Sequence, residues 1–320
     1  MAWLLLPISI LFLGLVAGRR ALYRLGLLPR IRLSVAVVVV GNINVGGTGK
    51  TPLVIHLAQV LRSRGRHPGI VSRGYLGNSG NVAEVNPESD PGEVGDEPVL
   101  LARRSGCAVF VGRDRVAAAR ALLAANPDCD VILSDDGLQH YRLERDVEIA
   151  MFDAGRMQNG WMLPAGPLRE PMARLNHVDA IVINNTAVSP APTFVCPTFV
   201  MRLHGNIFFR LDDPLVTCSA TELAGKALHA VAGIAEPRRF FDLLSDLGLN
   251  YSKHSFADHH DYRAEDIGFS GGAILTTEKD AVKLARLKLS LPVWVLPVAA
   301  NVSPALVEFV LEKLHGCSSS

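Results

Sequence analysis

The chain has 320 residues, with 32 Lys and Arg against 31 Asp and Glu and a formal net charge of +1. So even a balance gives no electrostatic reason to expect a long polyanion such as nucleic acid as partner. Five cysteines (Cys107, Cys129, Cys196, Cys218, Cys317) include no CxxC pair, which fits neither a disulfide framework nor a zinc site and makes a reducing compartment the default.

At the amino terminus, Ala2 to Gly18 carries no charge and is followed by Arg19, Arg20, Arg24, Arg30 and Arg32. The pattern predicts a membrane-associated helix within 1–28. Seventeen helical residues reach about 26 Å, short of the ~30 Å hydrocarbon core, and Pro7 interrupts the run, so a short span and a helix lying in the interface are both open. A cleaved signal peptide carries its charge before the apolar run, not after it. The positive-inside rule puts the arginines, and all that follows, on the cytoplasmic side.

Over 29–196, short β-branched runs alternate with helical stretches: "SVAVVVV" (34–40), "GIVS" (69–72), "CAVFV" (107–111), "VILS" (131–134), "VEIAMF" (147–152) and "DAIVIN" (179–184). Each is followed by enough chain for a crossover helix, which predicts an α/β/α domain on a parallel sheet. Residues 197–219 contain two extended runs around His204-Gly205-Asn206 and read as a hairpin or β ribbon leaving that sheet. A second βα series, from "ALHAVAGIA" (227–235) to "PVWVLPV" (292–298), predicts a smaller α/β domain over 220–315, with a polar tail at 316–320.

Between the first strand and its helix lies "VGNINVGGTGKTP" (40–52). A strand-loop-helix turn rich in glycine aims backbone N–H groups and the positive end of the helix dipole at one point, which suits phosphate. Asn44, Val45, Gly46, Gly47, Thr48, Gly49, Lys50 and Thr51 are therefore the candidate nucleotide loop, with Mg²⁺ beside it. Lys50 would reach the outer phosphates and Thr51 the metal. Asn44 stands where the Walker A pattern has its first glycine; asparagine tolerates the left-handed conformation better than other side chains. Val45 stands where membrane-associated partitioning ATPases carry a lysine, which counts against a partner-driven ATPase.

Four clusters could carry chemistry. "GDEP" (95–98) sets Asp96 and Glu97 at a helix start, where acids also serve simply as caps and first-turn residues. "LSDDGLQH" (133–140) sets Asp135 and Asp136 after a strand, where a Walker-B-type acid approaches Mg²⁺. "PAGPLREP" (164–171) offers Arg169 for phosphate and Glu170 for metal, or a surface ion pair. "DHHDY" (258–262) holds His259 and His260, whose adjacency disfavours zinc. It reads either as a solvated loop with Asp261 capping the next turn, or as a histidine tuning a carboxylate base across a domain cleft.

Taken together, "GNINVGGTGKTP" (41–52), "SRGY" (72–75), "GDEP" (95–98), "SDDGLQH" (134–140), "LPAGPLREP" (163–171), "DHHDY" (258–262) and "TTEKDAVKL" (276–284) resemble the tetraacyldisaccharide 4'-kinases, the lipid A 4'-kinase family, up to about residue 298. The resemblance implies a P-loop α/β/α domain joined by a two-stranded β ribbon to a smaller α/β/α domain, with an N-terminal helix on the cytoplasmic face of the inner membrane. It implies transfer of the γ-phosphoryl of ATP, with Mg²⁺, to the 4'-hydroxyl of an acylated glucosamine disaccharide 1-phosphate, without nucleic acid or an obligate protein partner. By matching position, Asp96 becomes the base, supported by His259; Lys50 and Thr51 hold phosphates and Mg²⁺; Asp135, Asp136 and Glu170 surround the metal; Arg73 and Arg169 contact substrate. The dyad would be completed when the two domains close on each other. Ala235-Glu236, where the family has glycine-asparagine, and "INN" (183–185) depart from the pattern. The alternative from another class is a membrane-tethered P-loop ATPase or switch acting on a protein partner, for which the histidine cluster has no use.

Overall fold

The computed structural model describes residues 2–74, 81–184 and 193–317; Tyr75 of "SRGY", Asn185 of "INN" and the tail from Ser318 lie outside them. In chain order the strands are β1 (Ala36–Asn42), β2 (Pro68–Ser72), β3 (Ala83–Val85), β4 (Val109–Val111), β5 (Val131–Asp135), β6 (Val147–Phe152), β7 (Ala180–Asn184), β8 (Thr198–His204), β9 (Ile207–Arg210), β10 (Thr217–Ser219), β11 (Leu228–Ala232), β12 (Ser252–Ser255), β13 (Ala273–Thr277), β14 (Val293–Leu296) and β15 (Ala299–Val302). The helices are α1 (Leu6–Arg24), α2 (Lys50–Ser63), α3 (Pro91–Val94), α4 (Asp96–Ser105), α5 (Arg115–Ala125), α6 (Ala220–Leu223), α7 (Pro237–Asp246), α8 (Glu278–Leu284) and α9 (Pro304–Cys317).

The larger sheet runs β15-β8-β7-β6-β1-β5-β2-β4-β3. All six strands predicted from the apolar runs are in it and pair in parallel, while antiparallel pairs occur at its two edges. The four valines Val37 to Val40 show why the run is continuous: side chains alternate between faces and both faces are covered. Val38 and Val40 pack with Leu53, Leu57 and Leu61 of α2, whereas Val37 and Val39 pack with Val116, Ala119 and Leu122 of α5. Since β1 has β5 on one side and β6 on the other, the loop after β1 opens at a topological switch point, where open α/β sheets bind ligands.

The domain boundary differs from the sequence expectation. β8 and β9 do not form a hairpin: β8 adds in parallel to β7, and β9 pairs with β10 and β14 in a second sheet, β10-β9-β14-β13-β11-β12. β15 then returns to pair antiparallel with β8, and α9 buries Leu306, Val307, Val310, Leu311 and Leu314 in the first core. The two-stranded link is thus β8 with β15, and the second unit closes near residue 298, not at 315. An apolar strand or stripe announces that it will be buried, but not against which sheet.

Pro7 also departs from expectation. It sits in the first turn of α1, where its missing N–H breaks no helical bond, so it starts the helix instead of interrupting it. One stripe of α1 (Phe12, Leu13, Val16) packs on the first unit. Buried Ser9 donates to the Met162 carbonyl (2.9 Å) and accepts from Ala165 N (3.0 Å). Nearer the other end Tyr23 packs on Tyr141. α1 therefore lies along the unit, with the opposite apolar face, Ile8, Leu11, Leu15 and Leu22, exposed.

Candidate active site

Gly46 (φ 96°) and Gly49 (φ 90°) take the left-handed conformations that let the loop curl in front of α2, which begins at Lys50. A Cβ on Gly49 would stand 2.6 Å from Asn184 Nδ2, so side chain and backbone both exclude other residues there. The loop is tied from inside. Asn42, at the end of β1, donates to Thr48 Oγ1 (3.1 Å) and its Oδ1 accepts from Lys50 Nζ (3.3 Å). Asn184 of β7 donates to the Thr48 carbonyl (2.9 Å). Asn44 is buried and bridges antiparallel to Leu168, and it is not among the positive-φ residues. The left-handed turn expected of Asn44 is thus taken by Gly46, because Asn44 is held in an extended bridge.

Around the loop the charges oppose one another. Lys50 Nζ lies 3.4 Å and Arg169 Nη1 3.0 Å from the Asp136 carboxylate. Burial works to raise that carboxyl, but Lys50 and Arg169 outweigh it and hold it well below the usual range. For Asp135 the balance runs the other way: burial, with the charges of Glu97 and Asp136 adding, pushes it up to about 7. Its Oδ2 accepts from Ser72 Oγ (3.2 Å), while Oδ1 is buried without a partner among the described residues. A glycine cradle, a helix N-terminus, a lysine and an orphaned carboxylate oxygen on one cavity wall fit a metal-bound triphosphate, which Lys50, Thr51, Asp135 and Asp136 would hold.

Glu170 is not on that wall. It is buried behind the loop, accepting from Gln139 Nε2 (2.8 Å) and from Tyr141, with Arg174 at 3.4 Å. Gln139 Nε2 also donates to the Asn42 carbonyl (2.9 Å), so Glu170 braces the base of the loop. Among the described residues no three His, Cys, Asp or Glu side chains converge as a metal cluster. Of the expected metal set, Asp135 and Asp136 line the cavity, whereas the Glu170 carboxylate stands behind it, engaged by Tyr141 and Arg174.

The other wall comes from two units. Asp96 opens α4, and its Oδ2 lies 3.0 Å from His259 Nδ1. His259 has φ 60°, its N–H fixed on the Gly233 carbonyl (3.1 Å). Lys279 Nζ on α8 lies 3.3 Å from His259 Nε2, 3.1 Å from Glu97 and 3.2 Å from Asp258. An ammonium can only donate, so Nε2 accepts, and Nδ1–H donates to an ionised Asp96. One turn on, Lys283 Nζ is buried without a hydrogen bond among the described residues, 3.7 Å from both Asp96 and Asp280. Burial would raise the Asp96 carboxyl; the His259 hydrogen bond and the charges of Lys279 and Lys283 outweigh it and lower it. The dyad expected from the sequence is formed, with the units bridged by Arg239 on Asp153, Arg104 on Glu278 and Arg156 on the Ala235 carbonyl. The short turn after "DHHDY" begins at Ala264 with Arg263, not Asp261, at its cap position.

One cavity of about 910 Å³ joins these walls. Of the predicted residues, Val45 to Thr51, Arg73, Asp96, Asp135, Asp136, Arg169 and His259 line it; Asn44 and Glu170 stand behind it. Sequence reasoning missed Asn42, Asn184, Lys279 and Lys283. The lysines left a signal, since Lys279 and Lys283 in "TTEKDAVKL" are four apart and share a helix face; the asparagines left none.

The profile of the tetraacyldisaccharide-1-P 4'-kinases matches residues 1–315. Tetraacyldisaccharide 4'-kinase of Azoarcus sp. (strain BH72) is 50% identical over 317 residues, covering 98% of this chain and 93% of that one. The Dechloromonas aromatica (strain RCB) protein of the same name is 51% identical over 316 residues, with the same coverage. The crystal structure of LpxK from Aquifex aeolicus in complex with ATP superposes with a TM-score of 0.84 at 30% identity, covering 98% of this chain and 99% of that one. With a phosphate loop on one wall, an acid–histidine pair on the other and relatedness along nearly its whole length, the chain belongs to the tetraacyldisaccharide-1-P 4'-kinase family.

Proposed function

We infer that the chain is an ATP-dependent kinase that phosphorylates the 4'-hydroxyl of a tetraacyldisaccharide 1-phosphate, with Asp96 as its base. The carrying observation is the 3.0 Å Asp96–His259 hydrogen bond in the cavity that also holds the phosphate loop. The loop N–H groups and Lys50 bind the outer phosphates, and Arg169 with Lys50 offsets their charge. Thr51, Asp135 and Asp136 would hold Mg²⁺, which would supply further neutralisation of the transferring group. Asp96 accepts the hydroxyl proton as the new oxygen–phosphorus bond forms and the bond from the γ-phosphorus to the departing ADP oxygen breaks. His259 keeps that carboxylate ionised and oriented. Phosphoryl transfer depends chiefly on positioning and charge neutralisation, so a base of modest strength suffices. Arg73 and Arg169 face the same cavity and are the cations for substrate phosphate.

The substrate explains α1. Four acyl chains cannot leave a bilayer when each exposed CH₂ costs about 0.8 kcal/mol, so the enzyme goes to the lipid. The exposed apolar face of α1, and its contacts with the domain near both ends, support a helix lying in the interface rather than spanning. The arginines after the apolar run favour the cytoplasmic face of the inner membrane.

Labelled γ-phosphate from ATP should appear in tetraacyldisaccharide 1-phosphate in detergent micelles, and only with Mg²⁺. Free phosphate without labelled lipid would overturn the kinase and bring forward the membrane-tethered ATPase.

A further inference from the structure

At the C-terminal end of α1 a second cavity, of about 290 Å³, opens without sharing any lining residue with the catalytic one. Arg20 and Arg24 reach it from α1, one turn apart, and Arg30 from the segment that follows. Among the described residues none of the three makes an ion pair within 4 Å. The carboxylates on the same wall are engaged by other cations: Glu144 with Arg32 (3.4 Å), Glu148 with Arg145 (2.8 Å) and Arg174 (2.7 Å), and Asp179 with Lys313 (2.9 Å). Three guanidinium charges are therefore left over at one cavity. The crowding registers at Arg20, whose proton affinity is lowered by burial first and then by the charges of Arg174 and Arg24.

A guanidinium offers a planar fork of donors that matches two oxygens of one phosphate. What would bring phosphate here follows from the rest of α1, whose face of Ile8, Leu11 and Leu15 is exposed by more than half; Arg20 and Arg24 lie in the last turns of the same helix, on the side turned toward the domain, at the level where that face ends. A helix lying in the interface sets its basic end among headgroups. We propose that Arg20, Arg24 and Arg30 form a headgroup site that takes the phosphodiester of an anionic phospholipid and fixes how the enzyme sits on the membrane. The proposal rests on reading α1 as the membrane face.

The test is sedimentation of the full chain with phosphatidylcholine vesicles, with and without phosphatidylglycerol. Phosphatidylglycerol should tighten wild-type binding, and the variant Arg20→Lys/Arg24→Lys/Arg30→Lys should lose about tenfold of that gain although its charge is unchanged, because lysine lacks the fork. An equal gain in the variant means diffuse charge attraction and overturns the site. Equal wild-type binding to both vesicles also overturns it, while leaving the membrane reading of α1 standing; no binding to either removes that reading and this proposal with it. Should the triple variant misfold, Arg30→Lys alone, at an exposed position, keeps the charge and is expected to lose part of the same gain, whereas an unchanged gain overturns the site. Glycerol 1-phosphate raising the melting temperature without vesicles as much as lipid does would assign the site to a soluble phosphate ester and overturn the lipid.

Discussion

His259 Nδ1, on a loop of the smaller unit, lies 3.0 Å from Asp96 Oδ2 at the start of a helix of the larger one. Asp96 and His259 form the cavity wall that faces the phosphate loop, so their loss should separate chemistry from nucleotide binding. Asp96→Asn, which keeps shape and acceptor, is expected to lower kcat by about 10²–10⁴, the usual span for a general base. His259→Ala should lower it less, with the ATP Kd unchanged in both. Turnover near wild type in the asparagine variant would move the base elsewhere.

Lys283 adds to the charges that should place the acid side of the pH profile. Its ammonium, 3.7 Å from Asp96, is one of the charges that lower that carboxyl. Lys283→Met keeps the volume and removes the charge, so the Asp96 carboxyl rises and the base is protonated at higher pH. The acid limb of kcat/KM against pH should shift upward while the plateau stays. The same sign holds for stability: a lowered carboxyl stabilises the fold above its unfolded value, and that stability is lost as pH falls through the folded one. An unmoved acid limb would detach Lys283 from the base.

Glu170 and Asp135 should respond differently to magnesium. Asp135→Asn changes a carboxylate on the cavity wall and should raise the Mg²⁺ concentration needed for half-maximal turnover. Glu170→Gln leaves Arg174 and Tyr141 facing a neutral amide behind the loop, so it should destabilise the fold by about 1–3 kcal/mol with the Mg²⁺ requirement unaltered. Magnesium titration with thermal melts decides this; a raised requirement in Glu170→Gln would return that residue to the metal.

The exposed face of α1 can be tested without disturbing the fold. Leu11 and Leu15 are 65% and 64% exposed, so Leu11→Glu/Leu15→Glu should change stability by no more than about 0.5 kcal/mol per site. Binding to phosphatidylcholine vesicles should weaken by about tenfold or more per residue, as expected for a leucine kept in water. Vesicle affinity equal to wild type would remove the interface reading.

The local half of this protein was legible in its residues. Val37 to Val40 had to be a strand covered on both faces, and Gly46 to Thr51 a turn able to close on phosphate, because β-branched packing and glycine dihedrals depend on near neighbours. The motif order carried the family. What the chain order could not supply was which side chains meet across long separations. Glu170 reads as a metal acid until Tyr141 and Arg174 are seen to hold it, and Lys283 reads as one more helix lysine until α8 sets it beside Asp96, 187 positions earlier in the chain. Likewise β15 and α9 look like the close of the second unit, yet the open edge of β8 and the unfilled face of the first core draw them back. Burial can be read from periodicity, but its partner is chosen by competition among all the faces of the folded chain, which is a property of the tertiary structure alone.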